Sequence, residues 1–222
     1  MQVSSRAHFT AADLRFVVDT LAHSAKEGDA LLQLLPEAGM LDRFLDEPRL
    51  HEVLVERPAC IAVSPDFYFY VLVRRALLRH GLDDRRLCDY LARMLAAFTH
   101  QRHLQPAAGK EAGRSFGYLG DMLAAADQAP AAQTFGLRHY LADYALFLCG
   151  IFKERVEARR HGAPGVGFYE AVGQSSYRSA AACPEAQRHN VRDLFERLAE
   201  AFREVRVSLN DVADRTLHWE AG

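Results

Sequence analysis

One aspartate stands out in this 222-residue chain because of the company it keeps. Asp143 sits inside Tyr140-Leu-Ala-Asp-Tyr-Ala-Leu-Phe-Leu-Cys149, a stretch that reads as one helix, apolar on almost every side. A carboxylate buried bare there would be prohibitively costly, so the sequence demands a partner for it. His139, four residues earlier and on the same helical face, is one candidate. Arg74 and Arg75, which emerge from another apolar helix, are the others. Two readings follow. Either Asp143 belongs to a buried pair that fixes helix register, or it is the polar centre of a ligand pocket lined by Tyr68, Tyr70, Arg74 and Tyr144. Metal binding is a third chemistry. His100 and His103 are three apart, His139 and Asp143 are four apart, and two such faces meeting would make a His/carboxylate site. The sequence has no Glu-x-x-His pair with further inward glutamates, no H-E-x-x-H and no Cys/His zinc spacing. Local pairing and capping is therefore the plainer expectation for these histidines, and no cofactor is expected.

Nucleophilic and phosphate chemistry find less to work with. No serine sits in a G-x-S-x-G elbow. Gly162–Gly167 lacks the lysine and hydroxyl of a phosphate loop and follows a helix where such a loop follows a strand. The four cysteines, Cys60, Cys88, Cys149 and Cys183, form no C-x-x-C pair and read as reduced, mostly buried thiols. Arg75-Ala-Leu-Leu-Arg-His80 resembles the R-x4-H pattern of helical HEPN-type ribonucleases. That resemblance spans six residues and implies metal-independent RNA cleavage, with Arg75 and His80 acting on a 2′-hydroxyl and its phosphorane. Arg79 and His80 also suit the negative end of a helix that stops at Gly81, which is the structural account of the same residues.

The elements that must position these groups are helices throughout. There is no sustained period-two alternation and no Asn-Gly or Asp-Gly hairpin turn. Thr10 with Asp13 forms a capping-box start, followed by Leu14, Val17, Val18, Leu21 and Ala25 at helical spacing to a stop expected at Gly28. Leu31, Leu32, Leu34 and Leu35 make a second group ending at Pro36. Short helices are expected at 38–46 and 49–57. Ser64-Pro65-Asp66 is the clearest start in the chain: a cap, a proline at the first helical position and an acid at the positive end of the dipole. The run Phe67–Val73 that follows has no polar face, so its helix must be buried and central. Further helices are expected at 84–100, 116–128, 131–160, 167–182 and 184–217, with a flexible loop at 101–114. The pattern predicts an all-α, single-domain irregular bundle of about nine helices spanning 1–222, in which 65–80 pairs with 84–100 and 131–160 with 184–217.

Composition bounds the function. Half the residues are hydrophobic, a quarter are charged and the net charge is −2, as in ordinary globular proteins. Near-neutral charge argues against DNA as a partner. No apolar run approaches the ~20 residues needed to span a bilayer, so no membrane role is expected and the cytoplasm is the default. Arginine outnumbers lysine 24 to 3, and the excess runs through every part of the chain, which points to a GC-rich bacterial genome more than to one anion site. The amphipathic terminal helix has a face that suits core or a second subunit. The expected function is a non-catalytic helical protein that engages a protein partner, a second copy of itself, or a small ligand between helices. The alternative is a helical enzyme, either His/Asp metal-dependent or a HEPN-like ribonuclease.

Overall fold

A computed structural model of the chain describes residues 4–56, 62–99, 115–157 and 164–216. Among these residues every regular element is helical, as expected, with ten helices of seven residues or more and several shorter ones. No described helix is long and apolar enough to cross a membrane. The chain divides into two compact units, Gln2–Thr99 and His100–Gly222. The expected loop at 101–114 lies outside the described residues.

The first unit opens with a 3-10 turn at Arg6–His8, then α1 (Ala11–Leu21), α2 (Ala25–Leu34), α3 (Met40–Leu45), α4 (Pro48–Glu56), α5 (Pro65–Arg79) and α6 (Arg85–Thr99). Its starts are set by caps. The Thr10 hydroxyl accepts from the Asp13 backbone N–H while the Asp13 carboxylate accepts from Thr10 N–H, the reciprocal capping box. The same carboxylate, fully buried, also accepts from the Ser64 N–H and hydroxyl, both at 2.7 Å. Ser64 in turn caps α5 by accepting from Phe67 N–H, with Pro65 at the first helical position. One aspartate thus fastens the beginnings of two helices 51 residues apart in sequence.

Helix α5 is the buried centre that its apolar run predicts, with Phe67, Tyr70, Val73 and Leu77 fully enclosed. It ends in a Schellman motif: Gly81 has φ +75°, its N–H reaches Leu78 O, and Leu82 N–H reaches Leu77 O. Helix α6 packs antiparallel beside it, the expected hairpin, burying Leu87, Leu91, Met94, Leu95 and Phe98. The expected stop at Gly28 is displaced. Helix α1 already ends at Leu21, and Ser24 caps a new helix that runs straight through Gly28. Gly28 sits inside α2, where its small size matches the closeness of Val18 and Ala22.

The second unit comprises α7 (Ser115–Gln128), α8 (Ala131–Ile151), α9 (Lys153–Glu157), α10 (Val166–Ala182), α11 (Pro184–Arg188), α12 (Arg192–Glu200) and α13 (Phe202–Thr216). Helix α8 is its axis and packs most extensively on α10, then on α13 and α7. Two glycines permit the closest approaches. A Cβ on Gly173 would lie 2.3 Å from the Phe202 ring, and one on Gly150 would lie 2.9 Å from Leu209 Cβ. The long helices expected at 131–160 and 184–217 are both interrupted. The first stops at Ile151, where buried Asn210 donates to the carbonyls of Cys149 (3.0 Å) and Gly150 (2.6 Å). The second is three helices. Asn190 at φ 54° closes α11 in another Schellman motif, with Val191 N–H on Ala186 O, and Ala201 separates α12 from α13.

Candidate functional site

Asp143 is buried, and its carboxylate has the partners that burial requires. Tyr177 of α10 donates its hydroxyl to Oδ1 at 2.7 Å, and His139 Nε2 stands 3.1 Å from Oδ2. His139 was a sequence-derived candidate; Tyr177 was not, because it lies 34 residues away on another helix. Arg74 and Arg75 belong to the first unit and Asp143 to the second. Aromatic rings enclose the trio. Phe195 lies nearly parallel to the His139 ring at 5.3 Å, Phe135 at 6.0 Å, and Phe195 also meets Tyr177 at 5.6 Å. The His139 side chain keeps 22 % of its surface exposed. Burial pulls its pKa down, but the charge of Asp143 and the hydrogen bond to it push harder, and the net displacement is upward. Tyr144, on the same helix, is buried with its ring stacked on Tyr140 at 6.0 Å. The arrangement can hold and release a proton at His139 while pinning α8 to α10.

Tyr68, Tyr70 and Arg74 lie in the first unit, Asp143 and Tyr144 in the second. Arg74 is only 2 % exposed and is committed to two carboxylates, Asp46 (Nε to Oδ1, 2.8 Å) and Asp83 (Nη2 to Oδ1, 2.7 Å). Arg85 donates to Asp46 Oδ2 at 2.5 Å and to the Asp42 carbonyl, and it lies within 3.5 Å of the Tyr70 hydroxyl. Arg6 grips Asp89 with two nitrogens and reaches Asp42 as well. Burial pushes the Asp46 carboxyl up, and Arg74 and Arg85 more than reverse it, holding it below the usual range. Burial also drives the Tyr70 hydroxyl well above its ordinary value. This network ties α3, α5, α6 and the N-terminal turn together, and its charges face one another. Tyr68 is half-buried, its ring edge-on to Phe69.

The remaining sequence candidates are placed as follows. Arg75 is half-buried and His80 exposed; five residues of helix turn them about 140° apart around the axis. His80 is the C-cap of α5, its N–H bonded to Ala76 and Leu77 carbonyls. His100 and His103 lie outside the described residues. No group of three His, Cys, Asp or Glu side chains is arranged to hold a metal ion among the described residues. Cys88 and Cys149 are buried thiols, Cys183 half-buried; burial pushes all three up, Cys149 to about 12. Cys60 lies outside the described residues.

A feature that sequence reasoning missed lies between α1 and α2. The two helices diverge from the extended link at Ala22–Ser24 and leave an open groove of about 560 Å³. Helix α1 contributes Arg15, Val18 and Asp19, the link contributes Ala22, His23 and Ser24, and α2 contributes Ala25, Gly28, Asp29 and Leu32. The α2 residues have the spacing i, i+3, i+4, i+7, one continuous seam along that helix. Val18 is buried in this lining, and the charged Arg15, Asp19 and Asp29 are exposed. Leu32 is 44 % exposed in it. No residue of α2 is buried. The signal that would have found the groove was Ser24-x-x-Glu27. Ser24 accepts from Glu27 N–H, and the Glu27 carboxylate accepts from His23 N–H at 2.8 Å, so a second helix begins there and folds back on the first. Compared with protein-family models, curated proteins and solved structures, the chain shows no match to any.

Proposed function

We propose that this chain is a non-catalytic helical interaction protein of the bacterial cytoplasm, whose first unit docks an amphipathic helix along the α1–α2 groove. The observation that carries this reading is α2 itself. With its C-cap it bears Leu31, Leu32, Leu34 and Leu35, yet none of its residues is buried. A ten-residue helix is marginal in water on its own, and an amphipathic one draws most of its stability from covering its apolar face. Arg15, Asp19 and Asp29 line the groove and make no ion pair among the described residues. Two helices bordering an open groove suit a third, as in helix-in-groove recognition. An enclosed small molecule would be buried far more completely than this open surface allows. The near-neutral chain favours a protein partner over nucleic acid, and the neutral thiols suit a reducing compartment.

The test is a photo-crosslinking residue placed at position 32 in living cells, with Arg178 and Arg192, exposed on the second unit, as control positions. A discrete protein adduct at position 32, absent from both controls and lost on adding Ala25→Asp, is the expected result. No adduct at position 32, or equal adducts at all three positions, would overturn the proposal.

A further inference from the structure

Helix α12 is nine residues long and lies between two interruptions of the chain, the left-handed Asn190 before it and Ala201 after it. It packs chiefly on α10. It meets α8 where the Phe195 ring lies 20° from parallel with His139 and 24° from parallel with Phe135. We infer that this contact is a pH-operated latch: protonated His139 holds α12 against α8, and loss of the proton lets α12 open while the rest of the unit stays folded. The charge balance gives the reason. Asp143 is buried, and protonated His139 sets an opposite charge 3.1 Å from its carboxylate. After deprotonation the carboxylate keeps the hydrogen bond from Tyr177 but loses that charge. A buried carboxylate weakened in this way draws water. The way in runs along the His139 ring, which keeps 22 % of its surface exposed and is covered by Phe195 at 5.3 Å. The proton adds a second hold, because the face of an aromatic ring attracts a cation lying over it.

The groups around the imidazole assign the titration to it. Its own helix supplies Asp143 and, one residue away, Arg138, which is turned to Asp127 of α7. Helix α10 supplies Tyr177, bound to Asp143 through its hydroxyl, and α12 supplies the uncharged Phe195. His189, just ahead of α12, is exposed and stacks on Phe135 at 5.8 Å. Burial pulls the His139 pKa down and the charge of Asp143 more than reverses it. The latch is therefore closed below pH 6.5 and opens as pH rises through the folded value.

Amide hydrogen exchange of the full chain, followed by NMR over a pH series and corrected for the intrinsic pH dependence of exchange, tests the latch. Two curves are compared: the protection of the buried α12 residues Leu194, Phe195, Leu198 and Ala199, and the titration of the His139 ring. The expected result is a fall in α12 protection of at least about threefold as pH rises, with the midpoint of the His139 titration, while α10 keeps its protection. His139→Gln keeps a donor for Asp143 but cannot gain a charge. Its α12 should exchange at every pH as the deprotonated wild type does. Asp143→Asn should move both midpoints down together, and His189→Gln should move neither. Four results overturn the inference: α12 protection indifferent to pH, an equal fall in α8, α10 and α12, midpoints that differ, or a response lost in His189→Gln and kept in His139→Gln. The comparison of midpoints needs no variant, so it decides the matter even where His139→Gln does not fold.

Discussion

At the scale of single residues, the second unit turns on how Asp143 is satisfied. Its carboxylate accepts from Tyr177 and pairs with His139, and each contact makes its own prediction. Tyr177→Phe removes a buried donor and keeps the ring, so it should cost about 2 kcal/mol in denaturant unfolding, the penalty of leaving a buried charge short of one hydrogen bond. His139 has its pKa raised above the ordinary 6.5. Its contribution to stability is therefore fully present below pH 6.5 and lost as pH rises through the folded value. The unfolding midpoint should fall as pH climbs above about 6.5, and Asp143→Asn should flatten that slope while lowering the His139 pKa seen by NMR. An unchanged slope in Asp143→Asn would break the link. One of Asp143's two partners was legible in the sequence. A carboxylate in an apolar helix needs a partner, and His139 is one helical turn away. Tyr177 was not legible, because which helix packs against α8 is a long-range matter that local spacing does not carry. Arg74 was legible as a buried cation in need of carboxylates, but not that Asp46 and Asp83 of its own unit supply them.

Among the helices, local chemistry fixed the starts and stops wherever a strong cap exists. Thr10-x-x-Asp13, Ser64-Pro65 and Gly81 all act as their residue types require. The misplaced boundaries share a cause. A stop was expected at Gly28 and unbroken helices through positions 150 and 201, but packing decides what happens at each. Gly28 lies within van der Waals contact of Val18, Gly150 under Leu209, and Ala201 beside Phe202, whose ring occupies the space over Gly173. Two glycine variants separate local from packing effects. Gly81→Ala forces a side chain into the left-handed region and should cost about 1 kcal/mol, recovered by Gly81→Asn in part, since asparagine tolerates that region. Gly173→Ala meets an aromatic ring at 2.3 Å and should cost about 3 kcal/mol, with Phe202→Leu in the same chain restoring much of it. Urea midpoints of the wild type, these four variants and Phe202→Leu alone check both; additive losses in the Gly173/Phe202 pair would show that the ring is not the obstacle.

For the whole molecule, the sequence told most about class and least about pairing. That every described element is helical follows from the 3.6-residue periodicity and the missing hairpin turns. The α5–α6 hairpin was readable because a glycine turn joins neighbours in the chain. The α8–α10 contact and the open α1–α2 seam were not, since amphipathic faces say that a helix must be covered but not by what. The same ambiguity decides whether α2 is a helix waiting for cover or one already at its resting state. Thermal unfolding distinguishes them. If the folded chain pairs through this seam, association stabilises the native state by mass action, and the midpoint must rise with protein concentration. For a Kd on the order of 10 µM, raising total protein from about 2 to 200 µM should lift the wild-type midpoint by a few degrees. Leu32→Asp should abolish the concentration dependence, and any loss it shows at about 2 µM reports the packing made by the covered part of Leu32, which is 44 % exposed. A wild-type midpoint that does not move with concentration would mean that α2 keeps Leu32 in water without a second copy to shelter it.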